Sequence, residues 1–272
     1  MTLEVLMSCM HQDDGALALR SGLMGDVVMV NQCSREGYDE FPNPRGTVRL
    51  FSTTQRGLTK SRNMALEKAR AEICLLCDDD EQFDADYEEK ILSAYEALPQ
   101  ADIIIFRVDN VPTRSHGDQV KRLRFPQTMK VCSVQISFRR QRLLDAGVRF
   151  DELLGSGTGN GGEEELKFLL DCERAGLMIY YVPVQIASVG QDQSLWFGGF
   201  TESFFENRGA TTRYVLGVPL ASAYALYYVL RKRSLYRDQL SFSHALSAIF
   251  RGIRKNKIGR QAASRKELEY TK

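Results

Sequence analysis

Between Leu3 and Val108, short apolar runs alternate with stretches of helical spacing. That alternation constrains the fold more than any other feature of the chain. LEVLMSCM (3–10), DVVMVNQ (26–32), GTVRLFST (46–53), EICLLC (72–77) and ADIIIFRV (101–108) read as buried strands. Between them, ALALRSGL (16–23), TKSRNMALEKARA (59–71) and ADYEEKILSAYEAL (85–98) carry helical spacing. In the second helix Thr59 stands as N-cap, with Lys60, Lys68 and Arg70 on the wet side. The pattern predicts an α/β fold, a mostly parallel central sheet flanked by helices. In such sheets ligands bind beyond the carboxyl ends of the strands.

After residue 110 the pattern loosens. KVCSVQISFRRQRLLDAG (130–147) reads as a strand and a short helix. A Gly-rich loop then opens a helix that stops at Gly176, and LMIYYVPVQIAS (177–188) is a late strand interrupted by Pro183. From about 202 the composition shifts, which divides the chain into a domain over 1–200 and a helical, basic extension over 201–272. The uncharged run Tyr214 to Leu230 is at the short limit for a bilayer span, and its Pro219 and tyrosines suit an interfacial or core helix better. FSHALSAIFRGIRKNK (242–257) has the pattern of a basic amphipathic helix of the surface-binding type.

Charge is unevenly spread. Residues 231–272 hold 12 Lys/Arg against 3 Asp/Glu, whereas the whole chain nets only +1, so residues 1–230 are acidic. A basic tail on an acidic body points to a polyanionic partner, an anionic membrane or nucleic acid. The six cysteines form no metal-type repeat. Cys74 and Cys77 have C-x-x-C spacing, but on a strand they face opposite ways, so all six read as core thiols of a reducing cytosol. The N-terminus enters a strand pattern at once, without the basic start of a signal peptide.

Three stretches carry candidate chemistry. At the end of the fourth strand stand Asp78, Asp79 and Asp80. In a strand-end turn Asp78 and Asp80 can face one point while Asp79 turns away. Oxygen ligands of this kind suit Mg²⁺ or Mn²⁺. A hydrated acidic turn is the equal alternative. GNGGEEELKF (159–168) follows a loop with five glycines in eight residues, which lets a ligand approach the backbone. Its three glutamates either favour the helix dipole or supply a general base. GLTKSRN (57–63) sets a hydroxyl and two cations at a helix start, suited to phosphate or to ordinary capping.

Taken in order, GLTKSRNMALEKARAEICLLCDDDE and FDELLGSGTGNGGEEELKFLLDCERAGLMIYYVP resemble the family 2 glycosyltransferases. The resemblance covers about residues 3–190. It implies a nucleotide-diphosphosugar transferase fold of the GT-A type and inverting sugar transfer to an acceptor hydroxyl, in bacterial polysaccharide or glycolipid assembly. Carried over by position, Asp78 and Asp80 form the metal motif for Mg²⁺ or Mn²⁺, with Asp80 the direct ligand. Asp79 lies at the donor site and Arg62 near the diphosphate. Glu164 is the base, with Glu163 supporting the acceptor site and Glu165 a rival. The implied partners are a nucleotide-diphosphosugar donor and a saccharide or lipid-linked saccharide acceptor. The tail would then meet an anionic membrane, with no nucleic acid expected, and place a cytoplasmic protein at the inner membrane face.

The sequence departs from the family pattern at Glu164, where the family has Asp, and at three other places. Met10 and His11 replace the usual end of the first strand, and Asn31 and Gln32 that of the second, where the nucleobase is read. Asn31 can still pair with a base through its amide. Gln191 and Asp192 stand where a late metal-assisting His is usual. His11, His116 and His244 read as ordinary residues. Two competing classes remain: a sugar- or nucleotide-binding relative without catalysis, and a phosphatase of the haloacid dehalogenase type. The latter wants Thr or Val where Gln82 stands.

Overall fold

A strand buried on both faces needs helices on both sides of its sheet. β1 (Leu3–Met10) is buried throughout its interior, and the later elements of the chain cover it. The computed structural model describes residues 1–111, 116–190 and 198–270, the last five by backbone only. The chain continues through α1 (Ala16–Arg20), β2 (Asp26–Gln32), β3 (Gly37–Asn43), β4 (Gly46–Thr53), α2 (Leu58–Lys68) and β5 (Ile73–Cys77). Next come β6 (Glu81–Phe83), α3 (Tyr87–Ala97), β7 (Ile103–Asp109), β8 (Lys121–Leu123), β9 (Ile136–Arg139), α4 (Arg140–Asp145), α5 (Glu164–Arg174) and β10 (Ile179–Val189). The helices α6 (Glu202–Arg231), α7 (Arg233–Tyr236), α8 (Phe242–Lys255) and α9 (Lys257–Tyr270) close the chain.

The residues group into two compact units, Met1–Phe150 with Glu165–Asp192, and Asp151–Glu164 with Gln193–Lys272. The second unit thus includes the Gly-rich loop as well as the C-terminal helices.

In the first unit one ten-stranded sheet runs β3-β4-β2-β1-β5-β9-β7-β10-β6, with β8 on β10. The block β4-β2-β1-β5 is parallel, as is β7 with β10. β3, β9, β6 and β8 pair antiparallel. Side chains alternate across β1. Val5, Met7 and Cys9 join one apolar cluster with Tyr87, Ile91 and Phe106. Leu6 joins the other with Leu66, Phe138 and Phe168. Cys77 and Cys74 fall in the first and second cluster respectively, so they do face opposite ways. All six thiols are free, and only Cys132 is not fully buried. Burial pushes the Cys9 thiol up to about 12.

One local expectation is corrected. Thr59 does not cap α2. It lies in the first turn, fully buried, and the cap position is Gly57, whose N–H donates to Gln32 Oε1 at 2.8 Å. The interruption expected at Pro183 is a bulge between Tyr181 and Gln185, after which β10 continues.

The second unit's helices form their own apolar core, with Phe205, Tyr228 and Tyr236 packed among aliphatic residues such as Ile249. α6 and α8 cross where both carry glycine. A Cβ on Gly209 would collide with the Ile249 carbonyl, and one on Gly252 with the Glu206 carbonyl. α8 does not stand as a free amphipathic helix. Its Ala245, Ala248, Ile249 and Ile253 are buried in that core. Arg251 bonds Glu206 at 2.6 Å and Glu202 at 2.8 Å, and Lys255 bonds Glu206 at 2.6 Å.

Candidate active site

In the first unit the site is built on the carboxyl ends of β1 and β5. α2 approaches this end with a polar buried face, an unusual choice that each residue explains. Ser61 Oγ donates to Ser8 Oγ on β1 at 2.8 Å. Asn63 clamps the Phe150 backbone, donating to its carbonyl and accepting from its N–H, both at 2.9 Å. Between them Arg62, 1% exposed, donates from Nη2 to both Asp78 oxygens at 3.0 and 3.2 Å, and from Nη1 to Glu165 Oε1 at 3.3 Å. Its guanidinium lies 5.6 Å from the Phe150 ring centre, and Phe150 stacks on Phe168. Ser133, which no sequence signal marked, donates to Asp78 Oδ2 at 3.2 Å.

The acidic turn divides its carboxylates. Asp78 is held by Arg62 and Ser133. Asp79 and Asp80 line a cavity of about 490 Å³ with Arg20, Glu81, Asn110 and Ser188. Asp79 thus shares the cavity with Asp80 instead of turning away from it. Glu81 folds back beneath the turn, its Oε1 accepting the Asp78 N–H at 2.7 Å. Its Oε2 is buried with no hydrogen-bond partner among the described residues. Burial, then the charge of Asp78, holds the Glu81 carboxyl well above the usual range. Loss of water, and again Asp78, raises Asp79. Gly190 N–H ties the Asp80 carbonyl at 2.8 Å.

Among the described residues no group of three His, Cys, Asp or Glu is arranged to hold an ion. The turn still fits Mg²⁺ or Mn²⁺ by its chemistry. Its donors are carboxylate oxygens, two of them share one cavity, and their crowding raises the cost of negative charge. Mg²⁺ commonly takes one or two protein carboxylates and completes its shell with water and substrate phosphate.

Asn31 lies near the end of β2. It is fully buried, its Oδ1 accepts the Gln12 N–H at 2.9 Å, and its Nδ2 donates to the Gln12 carbonyl at 2.7 Å. Both ends of its amide brace the turn after β1. His11 is exposed, and Gln191 and Asp192 lie outside the described residues.

In the second unit the Gly-rich loop is stitched by Asn160, whose Nδ2 donates to the Leu153 carbonyl at 2.9 Å and to Gln261 Oε1 at 3.1 Å. Asn207 donates to the Gly161 carbonyl at 2.8 Å. Glu163 takes a φ of 69°, a left-handed conformation uncommon outside glycine. It bonds Arg208 Nη1 at 2.7 Å. Glu164, first residue of α5, is buried. Of the three glutamates in the run, Glu163 and Glu165 are each held by an arginine.

A mostly parallel sheet with an acidic turn at its carboxyl end is common to more than one enzyme class, and comparison with known proteins identifies the fold. Residues 20–148, just under half of the chain, match the model for glycosyl transferase family 2. The family resemblance read from the sequence is borne out over that segment, which includes Arg62 and the acidic turn. Among solved structures the chain is similar to S. aureus TarS 1–349 in complex with UDP-GlcNAc, with a TM-score of 0.62 and 14% identity over 93% of this chain and 82% of that one. The same protein in complex with UDP gives 0.58 and 15% over 93% and 81%. Likeness at this identity establishes the fold. No curated protein matches the chain.

Proposed function

We propose that this protein transfers a sugar from a nucleotide diphosphosugar to an acceptor hydroxyl, with inversion at the anomeric carbon. One observation carries the reading. The buried Arg62 guanidinium bonds Asp78 at the strand end and Glu165 at the helix start. Three motifs that are separate in sequence therefore converge on one side chain. That a protein of like fold is solved in complex with UDP-GlcNAc and with UDP supports a nucleotide-sugar donor.

The acceptor oxygen attacks the anomeric carbon on the face opposite the diphosphate. A new carbon–oxygen bond forms as the bond to the phosphate oxygen breaks. Glu164 takes the hydroxyl proton. Glu163, bonded to Arg208, and Glu165, bonded to Arg62, are the rival bases. Held by Asp80 with Asp78 or Asp79, Mg²⁺ or Mn²⁺ would neutralise the charge gathering on the leaving diphosphate. Arg62 acts by fixing Asp78, so that the other two aspartates of the turn stay at the cavity. The acceptor is a saccharide or lipid-linked saccharide, and polysaccharide or glycolipid assembly at a bacterial surface is the process that fits the resemblance.

Thermal unfolding with UDP- and GDP-sugars, with and without Mn²⁺, tests the reading, because a ligand of the native state raises the midpoint. A metal-dependent rise with one donor, lost in Asp80→Ala, is expected. Turnover in Glu164→Gln should fall by about 10²–10⁴-fold with donor binding kept. Donor stabilisation that survives Asp80→Ala unchanged overturns the metal assignment, and full turnover in Glu164→Gln overturns the base. Donor binding without sugar transfer to any acceptor would mark a non-catalytic relative.

A further inference from the structure

The second half of α6 is apolar on both faces, and only one face is accounted for. The helix breaks at Gly217, where φ is 76°, and resumes with Pro219 in its first turn. One face then buries Ala221, Ala225, Tyr228 and Val229 in the apolar core. On the other, Leu220, Ala223, Tyr227 and Leu230 recur at helical spacing and are exposed. Leu220 is 49%, Tyr227 60% and Leu230 62% accessible, and Leu235 just beyond is 54% accessible. A continuous exposed stripe of this kind marks an interaction surface.

Charge indicates the partner. From Asn207 to Arg237 there is no Asp or Glu, and the stripe runs directly into exposed Arg231, Arg233 and Arg237, the last of which lies 3.8 Å from the exposed Asp238 carboxylate. We infer that this stripe and its arginines lie on an anionic lipid surface, with the helix in the plane of the interface. From Val218 to Arg231 the helix is about 20 Å long, and no helix among the described residues is long and apolar enough to cross a membrane. A second copy docking through the same patch would bring like arginines together, which opposes it. The basic tail suggested α8 for this role, but its apolar face is packed on α6 and its Arg251 and Lys255 are paired with glutamates. The inference is independent of the proposed sugar transfer.

Flotation of the full chain with phosphatidylcholine vesicles, with and without phosphatidylglycerol, tests it. Binding to the anionic vesicles alone, weakened by salt, is expected. Leu220→Ser with Leu230→Ser should weaken binding about 100-fold without loss of fold by circular dichroism, since both positions are exposed. Replacing Arg231, Arg233 and Arg237 by Ala should cost a similar factor of about 100 at low salt. Replacing Arg254 and Lys257 by Ala should stay within about twofold. Absence of binding overturns the inference, as does binding that the Leu220/Leu230 pair leaves unchanged. A loss in the Arg254/Lys257 variant as large as in the arginine triple also overturns it. So does a dimer, seen by light scattering, that the leucine changes dissolve, since the occupant would then be a second copy.

Discussion

The first unit buries an arginine ion pair near each end of its sheet, and the two are balanced differently. Near the amino ends, Arg49 bonds Glu4 Oε1 at 2.5 Å and the Lys68 carbonyl at 2.9 Å. The other Glu4 oxygen accepts the Arg70 N–H at 2.7 Å. Charge and hydrogen bonds close on themselves, as in a structural pair. At the carboxyl end Arg62 is just as buried, but it meets Asp78 and Glu165 while Asp79, Asp80 and Glu81 add further carboxyls to the same turn. One buried Glu81 oxygen has no partner among the described residues. Self-contained pairing marks scaffold, and a cluster of like charge at a cavity marks a place kept for a ligand.

Four measurements would break or sharpen that contrast. Glu4→Ala should lower unfolding free energy by about 3–5 kcal/mol, because it strands a buried guanidinium. Denaturant titration reads the loss, and turnover per folded molecule should not change. A turnover defect there would erase the distinction between the two ends. Acid sensitivity should arise away from both pairs. Burial, then Lys121 and Lys130, lowers His116 from 6.5 to about 4. Its neutral form is favoured by the fold, so the stability present above pH 6.5 is lost as pH falls toward 4. His116→Gln should flatten that slope, worth about 3 kcal/mol between the limits. Glu81→Gln should instead raise stability at neutral pH by about 1 kcal/mol, since an amide keeps the bond to Asp78 N–H without a buried charge. A destabilised Glu81→Gln would show that the turn is balanced after all. Asp79→Asn should act in the same direction but by only a few tenths of a kcal/mol, roughly the surface range, because Asp79 opens onto the cavity.

The parallel block of the sheet was legible because its strands are buried on both faces and therefore uniformly apolar. β1, β2 and β4 fall on the runs that announce them. β3 was not legible. It is an exposed edge strand, GYDEFPN, with a proline and two acids, and pairing with β4 alone makes it a strand. β6 and β8 are three residues each, too short for any period to show. Of the candidate site, the acidic turn and the three glutamates could be found because their residue types are rare together. Ser133 and the brace formed by Asn31 could not, since a lone Ser or Asn says nothing about its partner.

Local spacing by itself determined the strands and helices of the parallel block, the acidic turn beyond β5 and the family resemblance, because each is written within a few neighbouring residues. Only the tertiary structure decided which carboxylate meets which arginine. Arg62 and Glu165 are 103 positions apart, and Arg208 and Glu163 are 45 apart. Packing alone brings such charges together, and it alone turned the apolar face of α8 inward while leaving that of α6 outside. The physical reason is that periodicity records which side of an element avoids water, but not what covers it.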